Sequence, residues 1–323
     1  MTENDKNTLN RPGHVNHVKA TNTHKTGIYS LKNENGTQVQ ISIEGNRLVN
    51  LFTKDMAGRF IDVVVVPQNV IGNSSYMKSD YAANADGPKI DLRHVVWDAT
   101  QINENSIIFT YFSGDSEFGA AKNLEIKVTY KLTGDNGLKI SYEATTDRPV
   151  AVQCNQPFFN LNGGGSVFNH YLQINADVYF TLDSSGISTG NAESVNGTPF
   201  DFEKATTIGA RINDNSEQLT NGNGYNHTFV INKHSSRTPV ARVKGEKSGI
   251  IMELCTEDTG LHFYCSKFNN RNNSLNDNAC LPAGFGLTPR HFPDLEDNTP
   301  YFYMVLNPGE IYKSVCLYRF KIN

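Results

Sequence analysis

Two facing segments and the turn between them constrain this chain most. Leu124 to Leu132 alternates apolar and polar residues over nine positions, and Leu138 to Ala144 alternates back, with Gly134-Asp135-Asn136-Gly137 between them. A period of two puts successive side chains on opposite faces, so the pattern suits a half-buried strand and not a helix. Gly and Asn in the connection supply the backbone freedom that a tight reversal demands, so the pair reads as a β-hairpin.

The same rhythm recurs along the chain. Ile28 to Leu31, Val39 to Ile43, Asn50 to Thr53 and Ser106 to Phe112 read as strands, as do Tyr171 to Ile174 and Phe229 to Asn232. Val240 to Lys244, Ile250 to Cys255, Leu261 to Cys265, Tyr301 to Leu306 and Tyr312 to Phe320 continue the series. The β-branched run Phe60 to Val66 predicts a buried central strand. No window longer than one turn carries a 3.6-residue period, which favours a large sandwich over alternating α/β units. All-β units of this size fold as one body. The expectation is an all-β, single-domain sandwich over 27–323, presenting one broad sheet face to a ligand and preceded by a polar tail at 1–26. Within that tail His14, His17 and His24 have no carboxylate or thiolate beside them to complete a metal site.

Charge and composition narrow the function. The net charge is −4 and no run of Lys and Arg occurs, so nucleic acid is not an expected partner. No apolar stretch approaches the roughly 20 residues that span a bilayer, and the polar start lacks a signal-peptide core, so a cytoplasmic location is the default expectation. The five cysteines are dispersed with no C-x-x-C pair; Cys255, Cys265 and Cys316 lie in strands and read as structural thiols. Phosphate-loop, dinucleotide, zinc-protease and nucleophile-elbow motifs are absent, and Gly163-Gly164-Gly165 lies between strands with no helix after it. No cofactor or metal is expected.

Three loop segments stand out. They are Asn155-Gln156-Pro157-Phe158-Phe159-Asn160-Leu161, Gly224-Tyr225-Asn226-His227-Thr228, and Gly286-Leu287-Thr288-Pro289-Arg290-His291-Phe292-Pro293-Asp294. Amides beside aromatic rings suit a sugar, whose hydroxyls pair with amides and whose apolar face lies on an aromatic ring. Ordinary turn chemistry explains the same composition equally well.

These segments resemble the aldose 1-epimerase (galactose mutarotase) family. Cys154 to Leu161 is similar to its N-H-S-Y-F-N-L motif, Gly224 to Val230 to G-Y-D-H-N-F-V, and Leu287 to Asp294 to L-E-T-Q-H-F-P-D. Further matches, in order, are Leu31, Asn33, Gly36, Asp55, Gly58 and Asp62 near the start, then Asn169 to Ile174, Gly197 to Phe202 and Pro308-Gly309-Glu310. The resemblance implies a galactose-mutarotase-like β-supersandwich and a small-molecule ligand, a sugar first among the choices.

It also implies a changed site. Mutarotation opens and recloses a sugar ring and needs a base for the anomeric hydroxyl and an acid for the ring oxygen. The resemblance puts Thr288 where the family has its Glu and Gln156 where it has a His. It puts Asn226 at a substrate-holding Asp and Arg290 at a Gln. Ala85 falls at a second His, and Asp80 lies where an Arg is expected, in a register between 72 and 90 that the motifs do not fix. An amide does not exchange protons near neutral pH and a threonine hydroxyl is far too weak an acid to act alone. The expected ligand-binding set is therefore Gln156, Asn226, Thr288 and Arg290. His227, His291 and Arg290 are the candidates for any remaining catalysis, and His170 reads as structural. Three functions stay open: a binding protein without turnover, taking a small molecule or a protein in the old cleft; an isomerase or cyclase with new chemistry there; and an aldose 1-epimerase with substitute residues.

Overall fold

A computed structural model of the chain describes residues 27–66, 92, 95–113, 123–148, 150–151, 157–266, 284–291 and 305–322. Its strands are β1 (Ile28–Lys32), β2 (Gln38–Ser42), β3 (Arg47–Lys54), β4 (Phe60–Asp62), β5 (Asp98–Asn103) and β6 (Ser106–Phe112). Then come β7 (Glu125–Leu132), β8 (Gly137–Thr145), β9 (Val150–Ala151), β10 (Phe158–Phe159), β11 (Tyr171–Ile174) and β12 (Val178–Leu182). After β13 (Ser188–Ser194) and β14 (Thr206–Thr207), one short helix, α1 (Glu217–Asn221), precedes β15 (Gly224–Val230). The chain closes with β16 (Ala241–Lys244), β17 (Ile250–Thr256), β18 (Gly260–Ser266), β19 (Phe285–Arg290), β20 (Val305–Leu306) and β21 (Tyr312–Ile322).

The predicted hairpin is β7–β8. Leu132 pairs with Leu138, and residues alternate buried and open along both strands. Asn136 takes a φ of 60° in the turn, a left-handed conformation that Asn tolerates better than most residues. This hairpin sits inside a nine-stranded antiparallel sheet ordered β14-β11-β16-β17-β21-β8-β7-β6-β5. A six-stranded sheet has the order β10-β19-β18-β15-β12-β13, and a four-stranded one the order β1-β2-β3-β4.

The inner face of the nine-stranded sheet is covered by the other two. At one end, Phe159 of β10 lies against Tyr318 and Phe320 of β21, and the Tyr318 hydroxyl donates to the Leu287 carbonyl of β19 at 2.8 Å. At the other, Tyr29 of β1 meets Phe109 of β6 edge-to-face, and the Tyr130 hydroxyl donates to the Asn46 carbonyl. Both hydroxyls keep a partner where burial would otherwise strand them. Burial of large apolar side chains such as Phe109, Phe159, Phe263 and Phe285, none measurably exposed, supplies the main driving force.

One expectation is corrected. Phe60 to Val66 is not one continuous central strand: β4 stops at Asp62, lies at the edge of the four-stranded sheet, and leaves Phe60 49% exposed, whereas Val63 beyond it is fully buried. Asp62 ends it. Its carboxylate accepts from the backbone amides of Leu51 and Val64 and from Asn50, and at this point the chain changes partner. Val63 still donates to the Leu51 carbonyl of β3, while Val63 to Val65 bond to Phe158 and Asn160 and Val64 bridges Phe159 of β10. The strand predicted over 301–306 is described at Val305–Leu306. Cys255, Cys265 and Cys316 are buried and outside any disulfide, in accord with a structural role. No helix among the described residues is long and apolar enough to cross a membrane.

Candidate functional site

The six-stranded sheet has two unlike faces. Through the register of β15, β18 and β19, Tyr225, His227, Phe229, Leu261, Phe263, Phe285 and Leu287 turn to the core. The alternate positions turn the other way. Asn226 pairs with Tyr264, Thr228 with His262, His262 with Thr288, and Gly260 with Arg290. Asn226, Thr228, His262, Tyr264, Thr288 and Arg290 thus share one face, and Phe158, opposite Gly286, stands at its side. Phe158 meets Tyr264 edge-to-face at 5.6 Å and gives the polar face an aromatic wall.

Thr288 is central to this face. It is only 4% exposed, and its Oγ1 is buried with no hydrogen-bond partner. An unmet buried hydroxyl is uncommon and costs free energy, so it asks for a reason. Beside it, His262 is 3% exposed and its Nδ1 shares a hydrogen bond of 3.0 Å with Thr228 Oγ1. Burial, then the Arg290 cation, then His227 hold the His262 imidazole well below its ordinary pKa, so it is neutral at pH 7. Among the described residues no Asp or Glu lies on the paired positions of this face. Nor do three His, Cys, Asp or Glu side chains gather anywhere among them to hold a metal ion.

The expected residues divide as follows. Asn226, Thr288 and Arg290 come together on the face, with Arg290 two positions beyond Thr288, about 7 Å along the strand. Gln156, Ala85 and Asp80 lie outside the described residues. His227, a catalytic candidate on sequence, is on the opposite face. It is fully buried, against Phe200 at 4.3 Å and Tyr179 at 5.6 Å, and burial drives its pKa down to about 3. The Asn226 backbone amide donates to its Nδ1, which leaves the proton on Nε2 for Gln218 Oε1 at 3.3 Å. One step of strand period separates it from Asn226, and that step puts it in the core. His291 lies past the end of β19, exposed, with Nδ1 3.6 Å from Asp258 Oδ1 at the β17–β18 turn.

His170 is fully buried and takes a structural role. The Leu161 backbone amide donates to its Nε2 at 3.0 Å, and its Nδ1 meets Glu246 Oε2 at 3.0 Å. It thereby pins the chain just beyond β10, the strand that carries Phe158. Sequence reasoning missed His262, Thr228 and Tyr264. The signal available was a His in the middle of the apolar run Leu261 to Cys265, where a polar ring needs either a partner or a purpose.

Solved structures of this architecture are similar to the chain over almost its whole length. An aldose epimerase homologue from C. elegans matches with a TM-score of 0.71 and 21% identity, over 92% of this chain and 99% of that one. Galactose 1-epimerase from Lactobacillus acidophilus matches at 0.69 and 22%, over 90% and 93%. These likenesses define the fold as a galactose-mutarotase-like β-sandwich. In sequence, the aldose 1-epimerase of Escherichia coli K12 is 33% identical over 230 residues, 69% of this chain and 66% of that protein. Human galactose mutarotase is 30% identical over 233 residues, 71% of this chain and 66% of its own length. The aldose 1-epimerase family model matches residues 91–319, and the chain belongs to that family.

Proposed function

We propose that this chain binds a carbohydrate-like small molecule on the Asn226–Thr288 face without the proton-transfer pair of an ordinary mutarotase. The observation that carries this reading is Thr288. The motif match aligns it with the family's catalytic Glu, and its hydroxyl is buried and unpaired. Such a group offers a hydrogen bond to a ligand hydroxyl but no useful basicity. Asn226 and Thr228 add neutral donors and acceptors, and the Phe158–Tyr264 wall suits the apolar face of a sugar ring. Gln156 and Arg290 complete the proposed binding set, no cofactor is invoked, and a cytoplasmic setting belongs to the same proposal. General acid and base groups each contribute about 10²–10⁴ in rate, so loss of both leaves little acceleration. Polarimetry on freshly dissolved α-galactose and α-glucose, with isothermal titration of the same sugars, tests it. The expected result is measurable binding with rotation decaying at the buffer rate; acceleration of a hundredfold or more overturns it.

One observation favours a second reading, an isomerase or cyclase with new chemistry in the same cleft. His262 is a titratable group on this face, already oriented by Thr228. If it moves a proton, His262→Gln abolishes turnover of the substrate that binds here while leaving affinity within a few fold.

A further inference from the structure

The outer face of the nine-stranded sheet, on the far side of the sandwich from Thr288, gathers charge that the sequence disperses. Three adjacent registers carry it. In the first, Lys131 of β7 stands opposite Lys139 of β8. In the second, Arg319, Glu253 and Arg242 follow one another across β21, β17 and β16. In the third, Lys321, Ile251 and Lys244 cross the same strands. Six cations therefore share the strip with one carboxylate of its own registers, Glu253, and with Asp135 of the β7–β8 turn, which meets Arg319 at 2.6 Å, in a chain whose net charge is −4.

Glu253, only 4% exposed, engages Arg242 at 3.0 Å, Lys321 at 2.8 Å and Arg319 at 3.8 Å. Glu253 and Asp135 together hold three of the six cations in a fixed array and leave the strip net positive. Lys131, Lys139 and Lys244 are exposed and have no ion-pair partner among the described residues. Like charges placed directly across a strand pair, as Lys131 and Lys139 are, weaken a sheet. A surface selected for stability alone would separate them with a carboxylate. The next charged register shows that arrangement: Lys127, Glu143 and Lys313 alternate, with Lys127 3.7 Å from Glu143.

We infer that this strip is a docking site for an acidic polypeptide segment of a partner protein. The size argues for that occupant. Lys131 to Lys244 spans four strand spacings, about 19 Å, and the three registers are about 7 Å apart. An extended peptide repeats its side chains on one face at about the same 7 Å, so Asp or Glu at alternate positions meets successive cations. A larger polyanion fits less well. A membrane surface or a nucleic-acid duplex would overlap the carboxylates Glu143, Glu125 and Asp98 beyond the strip. Among the described residues the strip presents no protruding helix for a groove, and the exposed ring at its edge, Tyr171 opposite Lys244, stands alone and offers no platform for successive bases. Steering of the acidic segment acts over about 10 Å at 0.1 M salt, comparable to the strip itself. The inference stands independently of the sugar site, which lies on the other sheet.

The test uses a fluorescein-labelled octaglutamate peptide and the full chain, read by fluorescence anisotropy at 50 and 300 mM NaCl. Saturable binding is expected at 50 mM, weakened at least tenfold at 300 mM. Lys131→Glu combined with Lys139→Glu, and Lys244→Glu separately, are expected to weaken it at least tenfold and threefold, with unchanged thermal melting. Lys127→Glu with Lys313→Glu, outside the strip, is expected to change it less than threefold. Absence of saturable binding, or strip variants that bind like the parent, overturns the inference. So does tighter binding of a 20-base-pair duplex or of vesicles containing phosphatidylserine.

Discussion

Replacing Thr288 by Val separates a ligand-facing hydroxyl from a structural one, because the two roles predict opposite signs. Thr288 is 4% exposed and its Oγ1 has no partner. A buried hydroxyl without a hydrogen bond costs roughly 1–3 kcal/mol, and Val keeps the shape while removing the desolvated oxygen. The unliganded protein should therefore gain about 1 kcal/mol. For a chain of this size that is about 1–2 °C in Tm, given an unfolding entropy near 2.1 cal/mol/K per residue. The liganded protein should lose a hydrogen bond worth about 0.5–1.5 kcal/mol, which is about a 2- to 13-fold weaker Kd. Differential scanning calorimetry without ligand and isothermal titration with the bound sugar measure both. A Tm that falls by more than 1 °C means that the hydroxyl is satisfied in the folded protein, and an unchanged Kd means that it does not face the ligand. Either result refutes the reasoning.

Two further outcomes concern buried histidines. His170→Ala strands the Leu161 backbone amide and the Glu246 carboxylate together, so urea denaturation should show a loss of about 2–4 kcal/mol. His170, His227 and His262 are all held below their ordinary pKa, by burial above all. Unfolded histidines take up protons below about pH 6.5 while these remain neutral, so stability is level above that pH and falls as pH drops through it. Each contributes up to about 1.4 kcal/mol per pH unit well below pH 6.5, and His227→Gln should reduce the stability lost between pH 6.5 and 5.5 by about 1 kcal/mol. An unchanged slope in urea melts would show that His227 takes up its proton in the folded state.

Much of the fold is legible in the residues themselves. The alternation from Leu124 to Leu132 and from Leu138 to Ala144 gives strands, faces and turn together, because a period of two is local chemistry. The motif segments point to the family for the same reason: each is a short contiguous run. Phe60 to Val66 misleads because β-branched composition does not register the Asp62 side chain, which captures backbone amides at the point where the chain passes from pairing with β3 to pairing beside β10.

The site was only partly legible. Asn226 and His227 are neighbours in a motif, and the strand period puts them on opposite faces. Which of the two faces is the core depends on the strands that pair with β15 and on the nine-stranded sheet beneath it. His262 joins Thr288 through the pairing of β18 with β19, contacts no local pattern encodes. The basic strip follows the same logic: Lys131, Lys139, Arg242, Lys244, Arg319 and Lys321 form no cluster in the chain and one cluster on the sheet. Local sequence settles that strands form and which residues alternate along each. Only tertiary structure, through long-range strand pairing, decides which side chains meet, since register between distant strands is set by the burial of the whole core.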